Sequence, residues 1–362
     1  MSIIDIITYN FLWWTTTNNT KRGNNMSENF YFDIAGRSAM PFQVYIGGRG
    51  IGKSYSALRE LAINTPVDEK WIYMRRTGKE IEACSTEFGN PFKTINKDFG
   101  TLIVPESGGK GAAEYFYDER DEDNPQLVGY GVALSTFAGL RSMDLSDVTV
   151  TVFDEFIPER QVKRIKAEGE ALLNFYETVN RNRELQGKDP MRLILLSNAI
   201  DLANPILETL GIIGELENMI AHGEHRRTIP QRGLYVERVG KVGVTNAKEH
   251  TALYKLANAD FTNDTLNADF LSADLTTIRK NVNLKEYKPV FRYGDYVVFK
   301  SSQSFHVAKS DITVGKNFPE SAGIKVRTFF APTYRVARAY GNITFADFTT
   351  QVFFDDLFQW DN

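Results

Sequence analysis

Gly47-Gly48-Arg49-Gly50-Ile51-Gly52-Lys53-Ser54 spells G-x-x-x-x-G-K-S between an apolar run, Phe42 to Ile46, and a helical stretch, Lys53 to Ile63. A glycine-rich loop in that position is the phosphate-binding loop of an α/β nucleotide-binding domain, which limits the fold more than any other segment does. Glycines let the backbone wrap closely around phosphates and aim its N–H groups at them, at the positive end of the following helix. In this pattern Gly47 to Ser54 cradle ATP, Lys53 reaches the β and γ phosphates, and the Ser54 hydroxyl ligates Mg²⁺. The plainer alternative is a turn that ends in a solvated lysine.

A β-branched run, Val148 to Phe153, ends in Asp154-Glu155. Adjacent acids at the mouth of a buried strand are costly unless they hold a metal or a water. Asp154 is therefore expected in the Mg²⁺ shell, and Glu155 as the general base that polarises an attacking water. The pair favours a hydrolysing motor-type ATPase over a small GTPase, because Asn96-Lys97-Asp98 lacks the spacer of the base-reading Asn-Lys-x-Asp motif. A third buried run, Leu193 to Leu196, leads to Ser197-Asn198, where Asn198 either orients the water, senses the γ-phosphate or caps the strand.

The pattern Leu172, Phe175, Tyr176, Val179 predicts a helix over Gly169 to Arg183. At about 100° per residue Arg183 falls near that apolar stripe and Arg181 points away from it. An outward arginine beside a nucleotide site is either a finger for a neighbouring subunit or a solvated partner of Glu177 or Glu184. Arg49, Arg75, Arg76 and Arg141 are further cations expected on the phosphate side of the sheet. Lys79, Arg160, Lys163, Arg164 and Lys166 lie in loops that follow strands, as a track for a polyanion or as an ordinary solvated charge run. Arg226, Arg227, Arg232, Arg238 and Lys241 form a denser basic stretch, suited to nucleic acid or to an acidic partner.

Alternating short strands and longer helices from Phe42 onward predict a mainly parallel sheet flanked by helices, with an antiparallel insertion between Thr101 and Leu134. Turn signals place the boundaries: 1–41 an N-terminal extension and lead-in, 42–208 the phosphate-loop domain, 209–232 a linker or lid, and 233–362 a smaller α+β domain. In the last, strands are expected at Leu234 to Val239, Pro289 to Tyr293, Tyr296 to Ser301, Ser304 to Ala308 and Ile324 to Phe329. Helices are expected at Ala247 to Ala257, Tyr334 to Tyr340 and Phe345 to Phe358. With a single cysteine, Cys84, and four histidines, neither an intramolecular disulfide nor a zinc site is expected. The run Ile3 to Trp14 is interrupted by Asp5 and Asn10, so neither a signal peptide nor a membrane partner is expected. A net charge of −4 gives no global attraction to nucleic acid, which leaves any such binding to local basic patches.

Taken together, Ile46 to Tyr55, Ile72-Tyr73-Met74-Arg75-Arg76, Val152 to Ile157, Ala171-Leu172-Leu173-Asn174, Arg181-Asn182-Arg183-Glu184 and Leu196-Ser197-Asn198-Ala199 resemble the genome-packaging motor ATPases of picoviruses, small protein-primed tailed phages. The resemblance spans Phe42 to about Pro205. It implies a P-loop NTPase of the additional-strand, catalytic-glutamate class, followed by a domain like a degenerate RNase H-like nuclease. It further implies ATP and Mg²⁺ as cofactors, double-stranded DNA as the cargo, and a ring of subunits, usually a pentamer. That ring would sit at the portal vertex of an empty capsid in the host cytoplasm, against the portal or a structural RNA. On this resemblance Lys53, Ser54, Asp154 and Glu155 are nucleotide-site residues, Arg181 is a trans-acting finger, and Arg141 is a basic residue acting across the subunit interface. The chain extends about 25 residues further N-terminally than the family pattern, with Met26 where such a protein would begin. DNA cleavage is not expected, since Leu234 to Val239, as the first strand of the second domain, offers only Glu237. The competing readings are a terminase with an active nuclease and a nucleotide-gated scaffold.

Overall fold

In the computed structural model, which describes residues 30–86, 88–109, 113–158, 167–198, 202, 204–256, 277–302 and 304–358, the apolar runs assemble into two sheets. The first is built from β1 (Phe42–Gly47), α1 (Lys53–Asn64), β2 (Lys70–Arg75), α2 (Gly78–Cys84), α3 (Lys93–Phe99), β3 (Ile103–Glu106), β4 (Glu114–Asp118), β5 (Gln126–Ala133) and β6 (Val148–Asp154). It continues through α4 (Glu168–Asn180), β7 (Arg192–Asn198), α5 (Pro205–Thr209), α6 (Ile213–Ala221), β8 (Arg226–Ile229) and β9 (Leu234–Val239), with α7 (Gly243–Glu249) and α8 (Ala252–Leu256) following.

Strand order is β3-β4-β5-β2-β6-β7-β1-β9-β8. From β5 to β9 all neighbours run parallel, while β3-β4-β5 and β8-β9 pair antiparallel. The central strands are buried on both faces, as helix-covered parallel strands must be, and a hydrophobic core lies on each side of the sheet. Parallel order brings the ends of β1, β2, β6 and β7 to one edge.

The expectation for the start of the second domain is corrected here. Leu234–Val239 is not the first strand of a second domain but lies parallel to β1, in register from Phe42↔Leu234 to Gly47↔Val239. Its nearly continuous burial requires a neighbour on each side, and β1 and β8 supply them. The basic stretch is interleaved with acids and backbone carbonyls. Arg226 meets Glu237 at 3.1 Å, Arg227 meets Glu215 at 2.9 Å and Glu224 at 2.6 Å, and Lys241 meets Glu249 at 3.1 Å. The guanidinium groups of Arg232 and Arg238 donate to backbone carbonyls of residues 210–211 and 219–224.

The second sheet runs β13-β10-β11-β12-β14, with β10 (Lys288–Tyr293), β11 (Tyr296–Lys300) and β12 (Phe305–Lys309) antiparallel. Short strands β13 (Asn317–Phe318) and β14 (Ile343–Phe345) flank it in parallel. Helices α9 (Gly323–Ala339) and α10 (Phe348–Phe358) cover it around an aromatic core that includes Phe291, Phe330, Tyr334 and Phe354. Ile324 to Phe329 is thus helix rather than strand. Val326, Phe330, Tyr334 and Ala337 are buried at helical spacing, and that longer period outweighs the local β-branched run. The helix expected at Ala247 to Ala257 is two short ones within the described residues, and the run from Phe345 begins as a strand before turning into α10. Between the two sheets, buried Glu217 of α6 receives Lys280 Nζ at 2.5 Å and the Phe348 N–H at 3.4 Å.

Candidate functional site

β1 ends where its chain passes closest to β9, and a Cβ on Gly47 would stand 2.7 Å from the Val239 Cβ, so the loop can begin there only with glycine. It closes at Gly52, whose φ of 106° lies in the left-handed region. Helix α1 then starts with no side-chain cap and no acid in its first turn, which leaves its N-terminal N–H groups facing the cleft for an anion.

Buried Lys53 donates from Nζ to the carbonyls of Gly47 at 3.0 Å and Gly48 at 2.6 Å and to Asn198 Oδ1 at 3.3 Å. Burial lowers its amine to about 8, against the opposing pull of Asp154 and Glu155. Beside it Ser54 Oγ donates to Asp154 Oδ1 at 3.1 Å, and Tyr73 OH donates to Asp154 Oδ2 at 3.3 Å. Burial pushes the Asp154 carboxyl up, an effect that the Arg75 cation and the Ser54 hydrogen bond oppose. A hydroxyl and a carboxylate this close form an all-oxygen donor pair, the chemistry Mg²⁺ takes when substrate phosphates and water complete its shell.

Glu155 leaves the end of β6 with φ 55°, a left-handed conformation that is strained for a side-chain-bearing residue and turns its carboxylate into the open. Arg75, at the end of neighbouring β2, holds that carboxylate at 2.6 Å and lies 3.7 Å from Asp154 Oδ2. Lys53, Ser54, Asp154, Glu155 and Asn198 line one cleft of about 730 Å³ together with Arg49, Gly50 and Gly52. Ile51 turns its side chain into the core and does not line the cleft. The cleft continues past Tyr31, Tyr55, Thr94 and Asp98.

Other expected residues lie elsewhere. α4 ends at Asn180, three residues short of the sequence expectation, because Arg181 and Asn182 take φ values of 41° and 60°. Arg181 is exposed, yet its guanidinium folds onto the loop after Arg141, donating to the Met143 carbonyl at 2.9 Å and meeting Asp144 at 3.3 Å, not Glu177 or Glu184. Arg183 donates to the carbonyls of Asp189 and Ser146. Arg141 is exposed, and neither it nor Arg181 lines the cleft of its own chain. Arg76, expected near phosphate, is instead fully buried against Glu168 at 2.6 Å, where a charge needs its partner. Lys79 is exposed in the first turn of α2. Arg160, Lys163, Arg164 and Lys166 lie outside the described residues, as does the extension through residue 29.

Sequence reading missed Tyr73 and the hold of Arg75 on Glu155, which follow only once β2 is known to neighbour β6. It also missed Lys248 of α7, whose Nζ donates to the Arg49 carbonyl at 2.8 Å from 199 residues away.

Residues 36–299 match the family described as Podovirus DNA encapsidation protein (Gp16). The DNA packaging protein of Bacillus phage phi29 is 36% identical over 165 residues, 44% of this chain and 43% of that protein. That of Bacillus phage B103 is 33% identical over 183 residues, 50% of this chain and 51% of the relative. The matched stretch therefore spans about half the length of these relatives. The bacteriophage Phi-29 viral genome packaging motor assembly shares the fold at a TM-score of 0.58 and 20% identity, covering 88% of this chain and 95% of the other.

Proposed function

The chain belongs to the Podovirus DNA encapsidation protein (Gp16) family, and from that premise we propose that it is an ATP-hydrolysing motor subunit that drives double-stranded viral DNA into a preformed capsid. What carries the reading is the meeting of Lys53, Ser54, Asp154 and Glu155 in one cleft at the strand ends. The position of β7 between the phosphate-loop strand β1 and the Asp-Glu strand β6 supports the additional-strand, catalytic-glutamate class.

Lys53 enters the cleft as a desolvated cation whose burial a triphosphate would offset, with Asn198 3.3 Å from the amine to orient the γ end. Ser54 and Asp154 would hold Mg²⁺, which supplies charge neutralisation between the β and γ phosphates. Glu155 takes the proton of the attacking water once its carboxylate parts from Arg75, so the Arg75–Glu155 pair stands as the resting state of the base. Lys53 and Mg²⁺ by themselves would leave much of the developing γ-phosphate charge unopposed. Arg181 of the next subunit, with Arg141 beside it, completes the site in trans, in a ring that we take to be a pentamer. Lys79, Arg160, Lys163 and Arg164 form the track for DNA phosphates. The partners are the portal and a structural RNA of the prohead, in the host cytoplasm. The domain of the second sheet is read as a degenerate nuclease without activity: Glu237 lies in the first sheet against Arg37 and Arg226, and among the described residues the strands of the second sheet carry no carboxylate.

Hydrolysis of MgATP by the full chain, with and without double-stranded DNA, tests the reading. DNA-stimulated turnover is expected, and Glu155→Gln should keep ATP binding while losing about 10²- to 10⁴-fold in rate. Near-normal hydrolysis by that variant would remove Glu155 from its role. Binding without turnover would favour a nucleotide-gated scaffold, and nicking of supercoiled plasmid in Mn²⁺ an active nuclease.

A further inference from the structure

The chemistry of the cleft occupies only one end of it. Lys53, Ser54, Asp154 and Glu155 account for the phosphate and metal chemistry, while Tyr31, Tyr55, Thr94 and Asp98 line the same cleft. Tyr55 is already engaged, its hydroxyl donating to Asp98 Oδ2 at 2.7 Å. Tyr31 is 50% exposed, whereas Tyr45, Trp71 and Phe92 in the core of the same domain are buried. Among the described residues Phe30 is its ring neighbour, meeting it T-shaped with the centroids 5.0 Å apart, which occupies at most one of its two faces.

The backbone around Tyr31 is strapped to the phosphate loop and to α1. Phe32 N–H donates to the Ile51 carbonyl at 2.8 Å, and Ile34 N–H to Ser56 Oγ at 2.7 Å. Asp33 accepts from Arg59 at 2.6 Å and from Ser56 Oγ at 2.9 Å. Tyr31 itself presses on Gly52, with its Cβ 3.3 Å from where a Cβ on that glycine would stand. A half-open aromatic ring is thus held beside Gly52 of the phosphate loop, chiefly by the hydrogen bonds of its neighbours Phe32, Asp33 and Ile34.

We propose that Tyr31 is the platform on which the base of the bound nucleotide stacks. The inference rests on the nucleotide-site reading above and adds the recognition of a planar heteroaromatic ring. A ring face offers stacking without hydrogen-bond readout, so it contributes affinity for the nucleoside and leaves phosphate binding unchanged.

Equilibrium binding of MgATP and of Mg-tripolyphosphate to the full chain separates the two ends of the cleft. Tyr31→Ala should weaken MgATP by about 5- to 160-fold, the span of base–aromatic stacking, and leave tripolyphosphate within about twofold. Tyr31→Trp should bind MgATP as the unchanged chain does. The inference is overturned if Tyr31→Ala binds MgATP normally, if it loses tripolyphosphate in equal proportion, or if Tyr31→Trp is as weak as Tyr31→Ala. An unsubstituted chain that binds neither ligand would instead bring down the nucleotide-site reading and this inference with it.

Discussion

The two sheets draw on similar apolar runs, yet polar chemistry gathers at only one of them. In the first, β1, β2, β6 and β7 run parallel, so Lys53, Arg75, Glu155 and Asn198 emerge at one edge although they span more than a hundred residues of sequence. In the second, β10, β11 and β12 alternate in direction, and successive strand ends face opposite edges. Its investment is in aromatic packing, with Phe291, Tyr334 and Phe354 touching several other rings each. Strand direction, more than composition, decides where a catalytic cluster can form.

The largest expected effect falls on the first region. Arg181→Ala should bind ATP normally and lose about 10³- to 10⁵-fold in turnover, whereas a merely solvated arginine would leave activity intact. Mixed rings of Arg181→Ala with Glu155→Gln subunits should regain part of the ATPase, since some interfaces then hold a complete site. No recovery at any ratio would place Arg181 within its own subunit's function, and covalently linked dimers would then test strict coordination around the ring.

The second region should respond in stability instead. Phe354 is fully buried, and Phe354→Ala should cost about 3–5 kcal/mol in denaturant unfolding monitored at the second sheet. ATP affinity should be unchanged. If it falls in step, the contacts through Glu217 unite the two sheets into one cooperative unit and the contrast between them fails.

A smaller effect is pH-dependent and confined to the first region. With Lys53 at about 8 in the empty cleft, ATP affinity should fall by up to tenfold per pH unit above that value, because only the charged amine pairs with phosphate. The sign for stability is opposite. Between about 8 and the ordinary lysine value of 10.5 the unfolded chain binds more protons, so the empty protein gains stability as pH rises. Lys53→Arg should abolish both trends, as measured by binding and unfolding across that range.

The phosphate loop and the Asp-Glu pair were legible in the sequence because each is a local pattern, strand then loop then helix, or β-branched run then carboxylates. Contacts that depend on strand order were not. Nothing in Ile72-Tyr73-Met74-Arg75 says that β2 lies beside β6, which is what brings Arg75 onto Glu155. The place of Leu234–Val239 was misread for the same reason, since a continuous apolar strand reads alike in either sheet. At Arg181, helical periodicity carried the expectation past a left-handed turn that Asn182, a residue type tolerant of that conformation, announces more weakly than glycine would have.

The position of β9 also governs how the chain can be cut. A fragment that stops near residue 208, where turn signals suggest a border, would strip β1 of β9, one of its two partners, and leave the strand bearing the phosphate loop as a bare edge. Unpaired parallel edges invite pairing between molecules, so such a fragment should aggregate. One that runs through residue 256 keeps β9 and the Lys248 contact and should stay monodisperse in size-exclusion chromatography.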